Sequence, residues 1–287
     1  MSNTTDITLL FFIECIFIEG MIVVSDSAKK KMKSRCLAET PERERAYYVD
    51  PRDMKEFGIE FDQSKTSGVA PSGSEWYPSI LDSGRLTVFI PGNPGAGKSY
   101  LAAELIETLP DSYDILLFTA LEEEDGNFSS FKKRLYKIKM TEENLARMTL
   151  SEIRRVSRHP VLLFDDIDKI RDKKVEKKVF EILEDALANG RGHVKHDGQG
   201  DVHVIVTSHS LNDYRKTKYT LENSDYVALF PGSTTYAQLT RLFEKMGLGK
   251  DLCDFVYEKG KKCALRRVIV KKVAPMYIII GDTITLI

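Results

Sequence analysis

Pro91-Gly92-Asn93-Pro94-Gly95-Ala96-Gly97-Lys98-Ser99 is the stretch that decides the fold of this chain. From Gly92 onward it matches G-x-x-x-x-G-K-[ST], the pattern of a phosphate-binding loop (P-loop, or Walker A motif), at every fixed position. Glycines let the backbone close around a phosphate, and the free N–H groups of the following helix point at its charge. The sequence therefore predicts a nucleotide site formed by Gly92, Asn93, Pro94, Gly95, Ala96, Gly97, Lys98, Ser99 and Tyr100.

The residues on both sides of the P-loop supply the context that the motif requires. Residues 86–90 form an apolar run, which predicts a buried parallel strand. Residues 100–109 place apolar side chains on one face and predict a helix. With a strand before it and a helix after it, a chance glycine-rich turn becomes the weaker interpretation. We expect Lys98 to reach the β- and γ-phosphates of ATP, and Ser99 to bind Mg²⁺.

A second decisive stretch is Pro160-Val161-Leu162-Leu163-Phe164-Asp165-Asp166-Ile167-Asp168. Apolar residues that end in acids are typical of a Walker B strand, whose tip lies beside the P-loop. A carboxylate at this tip can hold the Mg²⁺ that bridges the phosphates, and we assign that role to Asp165. Asp166 lies where many P-loop ATPases carry a glutamate that polarises the attacking water. A strand followed by a solvated acidic turn is the alternative.

The rest of the chain predicts an α/β protein. Further apolar runs predict strands at 113–119, 202–207, 226–230, 268–270 and 277–280. Helical patterns are found at 128–148, 173–188, 234–246 and 252–257. We expect a RecA/ASCE-like P-loop NTPase with a mostly parallel central sheet flanked by helices. Residues 1–83 are interpreted as a lead-in, and residues 84–287 as the ATPase domain with a C-terminal strand extension.

Polar residues near the ends of these elements are further candidates. His209 follows the strand at 202–207, at a position where a polar side chain can contact the γ-phosphate. The loop 190–200 is rich in glycine and basic residues, and could reach a neighbouring subunit or DNA. The helix predicted at 128–148 carries a basic cluster that could also face DNA, although a solvated helix face is the commoner explanation.

Composition sets limits on the partners of this chain. It has 287 residues, a formal net charge of −1 and 42% hydrophobic residues, so it can bury a core but has no global basic field. Any DNA contact must come from local patches or from an assembled ring. The four cysteines, Cys15, Cys36, Cys253 and Cys263, have no C-x-x-C or zinc spacing, which indicates a reducing compartment.

The N-terminal segment from Leu9 to Val24 is strongly apolar but contains Glu14 and Glu19. It is short for a membrane span, and no basic residues precede it as they would in a signal peptide. We expect a pair of strands with a turn near Gly20, no stable membrane insertion and no secretion; a translation start at Met21 is a second interpretation.

The order of these motifs resembles that of the genome-packaging ATPases of large DNA viruses, of the poxvirus type, in the HerA/FtsK superfamily. The resemblance covers roughly residues 86–280, with Gly92 to Ser99 as Walker A and Phe164-Asp165-Asp166 as Walker B. Gly190-Arg191 matches a Gly-Arg pair ahead of the fourth core strand. One departure is Ser208-His209, where that family usually carries glutamine.

The resemblance implies an Mg²⁺-dependent ATPase that assembles as a homo-oligomeric ring and moves double-stranded DNA into a capsid, with a capsid or portal protein as a further partner. It makes Arg191 a candidate finger that acts on the γ-phosphate of a neighbouring subunit. The catalytic candidates are then Lys98, Asp166, His209 and Arg191. An AAA+-like helicase loader or remodelling ATPase, a nucleotide or nucleoside kinase, and a nucleotide-gated binding protein are the alternatives.

Overall fold

The computed structural model describes residues 16–18, 21–25, 35–39, 45–49, 67–69, 76–78, 84–120, 126–192, 200–209, 214–263 and 266–287. The first described strands are β1 (Ile16–Ile18), β2 (Met21–Ser25), β3 (Arg35–Glu39), β4 (Arg45–Val49), β5 (Ser67–Val69) and β6 (Tyr77–Pro78). All of these except β5 form one antiparallel sheet in the order β1-β2-β4-β3-β6. The strand pair predicted around Gly20 is confirmed.

A second sheet of ten strands forms the centre of the protein. Its remaining members are β7 (Thr87–Pro91), β8 (Asp114–Thr119), β9 (Leu135–Lys139), β10 (Pro160–Asp165), β11 (His203–Ser208), β12 (Tyr226–Leu229), β13 (Val268–Lys271), β14 (Tyr277–Ile280) and β15 (Thr283–Leu286). The strand order is β5-β15-β14-β13-β12-β7-β11-β10-β8-β9. The strands from β12 to β9 are parallel. The other four strands, β13, β14, β15 and β5, each pair antiparallel with the strand before them in the chain of pairs that starts at β12.

Seven helices are described around this sheet. They are α1 (Lys98–Glu107), α2 (Glu142–Ala146), α3 (Leu150–Val156), α4 (Lys173–Asn189), α5 (Tyr214–Asn223), α6 (Tyr236–Lys245) and α7 (Lys250–Lys262). Apolar residues of α1 pack in the core on one face of the sheet, and those of α3 to α7 pack on the other. Within the described ranges, no helix combines the length and the apolar character needed to cross a membrane.

This architecture confirms the predicted fold class of a P-loop NTPase with a mostly parallel sheet between helices. The P-loop strand β7 and the Walker B strand β10 are separated by one strand, β11. Because parallel strands end at a common edge, the residues that follow β7, β10 and β11 meet there. Trp76 and Tyr77 of the lead-in are buried in the same core as α1, and β5 pairs with β15.

The prediction of one helix over residues 128–148 is wrong. The structure has a 3₁₀ turn (Gly126–Phe131), then β9, and only then the short helix α2. The reason is tertiary, because residues 135–139 pair in parallel with β8 and complete the edge of the sheet. Thr141 caps the amino end of α2, since its side chain accepts a hydrogen bond from the N–H of Asn144. Two lysines of the basic cluster, Lys137 and Lys139, therefore lie on an edge strand.

A buried arginine fixes the junction between α4 and β11. Arg85 donates hydrogen bonds to the carbonyl oxygens of Val202 (2.7 Å), Leu187 (3.1 Å) and Ala186. Two of these carbonyls belong to the last turn of α4, where backbone oxygens lack helical partners. Gly190 ends the turn, and a Cβ there would lie 2.3 Å from the oxygen of Ala186. Burial lowers the pKa of Arg85 to about 10.

His203, the first residue of β11, connects the amino ends of two neighbouring strands. Its Nδ1 accepts a hydrogen bond of 3.0 Å from the N–H of Leu86, just before β7. The ring is almost completely buried, and Tyr113 lies against it. Burial, with the charges of Arg85 and His159, lowers the pKa of His203 from 6.5 to about 3. His203 is therefore neutral in the folded protein throughout the neutral range.

We expect His203→Asn to flatten the dependence of stability on pH. The folded pKa is lower than the unfolded one, so the neutral ring contributes its full stability above about pH 6.5 and loses it as the pH falls towards 3. One proton taken up on unfolding costs up to about 1.4 kcal/mol per pH unit. Asparagine keeps an acceptor for Leu86 but does not titrate. Urea unfolding between pH 7 and pH 4 measures the slope, and equal slopes for both proteins would contradict this account.

Candidate active site

The P-loop joins the end of β7 to the first turn of α1. The N–H of Gly92 donates to the carbonyl of Ser208 at the tip of β11 (3.0 Å), and the N–H of Ala96 donates to the carbonyl of Asn93 (3.1 Å). Gly97, immediately before α1, has φ of 98°, a conformation that side chains other than glycine rarely adopt. The loop therefore has one backbone path, and it aims the N–H groups at the start of α1 into the bend.

Phe230 forms the floor of this loop. It follows β12, the neighbour of β7, and is 3% exposed. A Cβ on Gly92 would lie 3.0 Å from the Phe230 ring and 3.3 Å from the Cβ of Ala96. The side chain of Asn93 also donates to the carbonyl of Ser233, in the turn after Phe230, at 2.5 Å. These contacts with Phe230 and Ser233 thus fix the position of the loop relative to the end of β12.

Asp165 and Ser99 face each other at the edge of the sheet. The Ser99 hydroxyl lies 3.4 Å from Oδ1 of Asp165, and the same oxygen accepts a hydrogen bond of 2.7 Å from the hydroxyl of Thr207. Thr207 belongs to β11, the strand between β7 and β10. It therefore fixes the Walker B carboxylate in front of the P-loop serine.

Asp166 has an unusual backbone conformation, with φ of 51° and ψ of 38°. A left-handed conformation is uncommon outside glycine and persists only where the surroundings hold it. Here the Asp166 N–H donates to the Thr207 hydroxyl at 2.9 Å. The carboxylate is held as well, because its Oδ2 accepts from Lys169 (2.8 Å) and from Nε2 of His209 (2.7 Å). Its Oδ1 is buried and has no hydrogen-bond partner among the described residues.

His209 links the P-loop lysine to Asp166. The ammonium of Lys98 donates to Nδ1 of His209 at 3.1 Å, so the proton of a neutral ring is on Nε2, where it faces Asp166. The backbone N–H of His209 donates to Asp168 at 3.1 Å, which holds the backbone that carries the ring. Lys98 also donates to the carbonyl of Asn93 at 3.4 Å. In this arrangement the lysine is folded back onto protein groups.

The pKa values of the two central groups of the site, Lys98 and Asp166, are both lowered, but for different reasons. Burial lowers the pKa of Lys98, and the nearby carboxylates of Asp166 and Asp165 offset this only in part. Burial acts in the opposite direction on Asp166, but the hydrogen bonds from Lys169 and His209 outweigh it and hold the pKa below its ordinary value. Asp166 is therefore an anion at neutral pH, and Lys169, His209 and Lys98 favour this charged form.

The side chains fit a nucleotide-bound magnesium ion. Ser99 and Asp165 present two oxygen atoms 3.4 Å apart, one at the start of α1 and the other at the end of β10. No group of three or more His, Cys, Asp or Glu side chains in the described ranges could hold a metal ion. A cation at this site would thus take its other ligands from phosphate and water, as Mg²⁺ commonly does.

The structure brings together five of the predicted site residues, namely Lys98, Ser99, Asp165, Asp166 and His209. Tyr100 is 56% exposed on the first turn of α1.

The residues that sequence reasoning missed are Thr207, Asp168 and Lys169. Thr207 had a visible signal, since it is a polar residue at the end of an apolar strand. Lys169 had none, because only the 3₁₀ turn (Ile167–Lys169) brings it back to Asp166.

Arg191 lies at the amino ends of the parallel strands, on the side of the sheet opposite the P-loop. It follows Gly190, whose carbonyl accepts from the N–H of Val202 ahead of β11. Strand β11 has six residues, so about 20 Å separate this edge from the P-loop. The backbone of Arg191 is held by Arg154, which donates to its carbonyl at 2.9 Å, while its side chain is exposed. Arg191 does not reach the P-loop of its own subunit.

Known proteins are similar to this chain in both sequence and fold. A family model described as "ATPase family associated with various cellular activities (AAA)" matches residues 88–224. The "Uncharacterized protein V3" of the Sputnik virophage is 29% identical over 204 residues, which cover 69% of this chain and 77% of that protein. The family match spans the P-loop, the Walker B strand and β11, and together with the P-loop fold it supports an ATPase.

Two solved structures are similar to the chain at low identity. The pCW3 conjugation coupling protein TcpA, in its monomer form with ATPgS, has a TM-score of 0.40 at 11% identity, covering 93% of this chain and 84% of that one. The cytoplasmic domain of the type VII secretion ATPase EccC of Thermomonospora curvata has a TM-score of 0.43 at 10% identity. That comparison covers 82% of this chain but only 31% of EccC.

We expect Gly92→Ala to weaken ATP binding about tenfold, which corresponds to roughly 1.4 kcal/mol. The added methyl group would press on Phe230 and lift the loop from its floor. Gly126→Ala is the matched control, because a Cβ at Gly126 meets nothing within 4 Å. Titration with a fluorescent ATP analogue gives the affinities. Relief by the double change Gly92→Ala and Phe230→Leu is expected, and an unweakened single variant would contradict the floor role of Phe230.

Proposed function

We propose that this chain is an Mg²⁺-dependent ATPase that works as a homo-oligomeric ring and moves double-stranded DNA, with the packaging of a viral genome as its task. The observation that carries the proposal is the Asp166 carboxylate, held between Lys169 and His209 beside the P-loop. The proposed place of action is the cytoplasm of an infected cell or the virion, with a capsid or portal protein as partner.

The side chains have distinct parts in hydrolysis. Lys98 exchanges its contact with His209 for the β- and γ-phosphates of ATP, and so positions them. Ser99 and Asp165 would hold Mg²⁺, which when bound offsets charge on the phosphate oxygens. Asp166 accepts a hydrogen bond from the attacking water and orients it towards the γ-phosphorus. His209, once released by Lys98, is free to donate to Asp166 or to the γ-phosphate.

Two observations favour a DNA motor over a remodelling ATPase. In the described part of the chain, the segment after β12 forms α6 and α7 and then returns to the sheet as β13 to β15, whereas an AAA+ remodelling ATPase would carry a separate helical lid. The order of P-loop, Walker B strand, Gly190-Arg191 and polar strand tip is the order that resembles packaging ATPases. The relative from a virophage is in keeping with a viral context.

The deciding experiment compares ATPase rates with and without double-stranded DNA, alongside measurement of the oligomeric mass. We expect DNA to stimulate turnover, and Lys98→Ala to abolish it because the β- and γ-phosphates lose their cation. Lys250→Ala, which removes an exposed lysine at the start of α7, is the control and should keep the wild-type rate. Unaltered turnover in Lys98→Ala would overturn the ATPase proposal. Turnover that requires a small phosphate acceptor and ignores DNA would favour the kinase alternative.

Arg191→Ala is expected to retain ATP binding and to lose most turnover, because the finger would act on a neighbouring subunit. Mixing it with Asp166→Asn subunits should restore part of the activity, since some sites then combine an intact Asp166 with an intact Arg191. Arg158→Ala, which removes another exposed arginine from the same edge of the sheet, is the control. Mixtures that never exceed the activity of the separate variants would count against a finger supplied in trans.

A further inference from the structure

A broad groove lies beside the active site, at the same edge of the sheet. Its volume is about 1010 Å³, and its walls come from the ends of β8 and β9 and from the turn that joins β10 to α4. The lining residues with ionic side chains are Lys137, Lys139, Lys169, Arg171 and Asp172. None of these residues is assigned to nucleotide binding, and of the five only Lys169 contacts Asp166 in the active site.

The ionic lining of the groove is positive. Its single acid, Asp172, caps the amino end of α4, where its carboxylate accepts hydrogen bonds from the N–H groups of Lys174 and Val175. The other four ionic side chains of the described lining are cationic. The count covers the described residues alone, since the acidic stretch 121–125 that follows Ala120 lies outside them. Cations clustered in a concave surface attract a polyanion and raise its local concentration.

The spacing of the two lysines on β9 matches a sugar–phosphate strand. Lys137 and Lys139 are two residues apart on an edge strand, so they lie on one face about 6.6 Å apart. Each nucleotide of one DNA strand rises about 3.4 Å along the helix axis and also winds around it, so successive phosphates lie roughly 7 Å apart. Both lysines are exposed. The edge strand can therefore follow consecutive phosphates without a rearrangement of the backbone.

Lys169 belongs to the groove and to the active site at once. Its ammonium donates to Oδ2 of Asp166 at 2.8 Å, while its side chain remains 45% exposed at the wall of the groove. While this ion pair persists, one oxygen of the carboxylate that orients water is engaged by a cation. A phosphate in the groove offers the same ammonium a competing anion, because phosphate oxygens form strong charge-assisted hydrogen bonds.

We propose that the groove binds one strand of the phosphate backbone of double-stranded DNA, and that Lys169 couples this binding to hydrolysis by leaving Asp166 for a DNA phosphate. The coupling rests on the proposed ATPase function, whereas the binding site does not. In the absence of DNA, Lys169 restrains Asp166 and turnover is slow. With DNA in the groove, Asp166 is released to orient the attacking water. Lys169 is thus a positioning residue.

The first test measures binding of a labelled DNA duplex to the full chain by fluorescence anisotropy, as a function of salt. Lys137→Met with Lys139→Met removes two phosphate contacts, so the slope of log K against log salt should fall in magnitude by about 1.8. Basal ATPase activity should stay unchanged. Lys177→Met, which removes an exposed lysine of α4 that does not line the groove, is the control and should leave the slope intact. An unchanged slope in the double variant, or equal competition by polyglutamate, would overturn the DNA site.

The second test measures turnover with and without the duplex. Lys169→Met should raise the rate without DNA several-fold and bring the ratio of stimulated to unstimulated rate close to one. Lys169→Arg keeps a cation that can pair with Asp166 and should keep most of the stimulation. A merely structural role would lower both rates and leave their ratio unchanged. A ratio in Lys169→Met equal to that of the wild type would overturn the coupling.

The two proposals can fail separately. A chain without ATPase activity that still binds the duplex, with slopes reduced by the β9 changes, would contradict the proposed function and support the groove. In that case Lys169 is tested by its own salt slope, which should fall by about 0.9 in Lys169→Met. A slope that does not change would remove Lys169 from the DNA site.

Discussion

The hydroxyl of Thr207 is the contact on which the arrangement of the active site depends. It donates to Asp165 and accepts from the N–H of Asp166, so one small side chain of β11 joins two successive residues at the tip of β10. Without an acceptor for that N–H, the left-handed backbone at Asp166 would lack its main support. The conformation in turn sends the two carboxylates in different directions, one towards Ser99 and the other towards His209 and Lys169.

The same arrangement explains why the P-loop lysine is engaged by protein groups. Lys98 is buried among carboxylates, and an ammonium there must have a partner. His209 provides one and transmits the contact to Asp166, so that three side chains share the charge of a cation and an anion. A phosphate is the stronger partner for a lysine, and its arrival would leave His209 with Asp166 alone. A glutamine in place of His209 would present a neutral amide with no second tautomer. A contact with Lys98 could therefore not determine which of its atoms carries a proton.

Much of the fold could be predicted from local pattern, while parts of the site could not. The P-loop and the strand ending at Asp165 have sequence signals that each arise within about ten consecutive residues, and both predictions placed them correctly. Residues 135–139 were misassigned because their structure depends on pairing with β8, more than fifteen residues away. Lys169 was missed because a 3₁₀ turn, and not a motif, directs it at Asp166. Arg85 could not be recognised either, since its partners on α4 lie about a hundred residues further along the chain.

The separation of Arg191 from the P-loop by the length of the sheet restricts how copies of this chain could share an active site. If one subunit completes the site of the next, the carboxyl edge of one sheet must face the amino edge of its neighbour. Such a contact is heterologous, with two different surfaces, and it cannot be formed around a two-fold axis. Repeating it closes a ring or continues a filament, and in both cases every subunit points the same way around. An assembly of this kind therefore has a defined polarity before any ATP is hydrolysed.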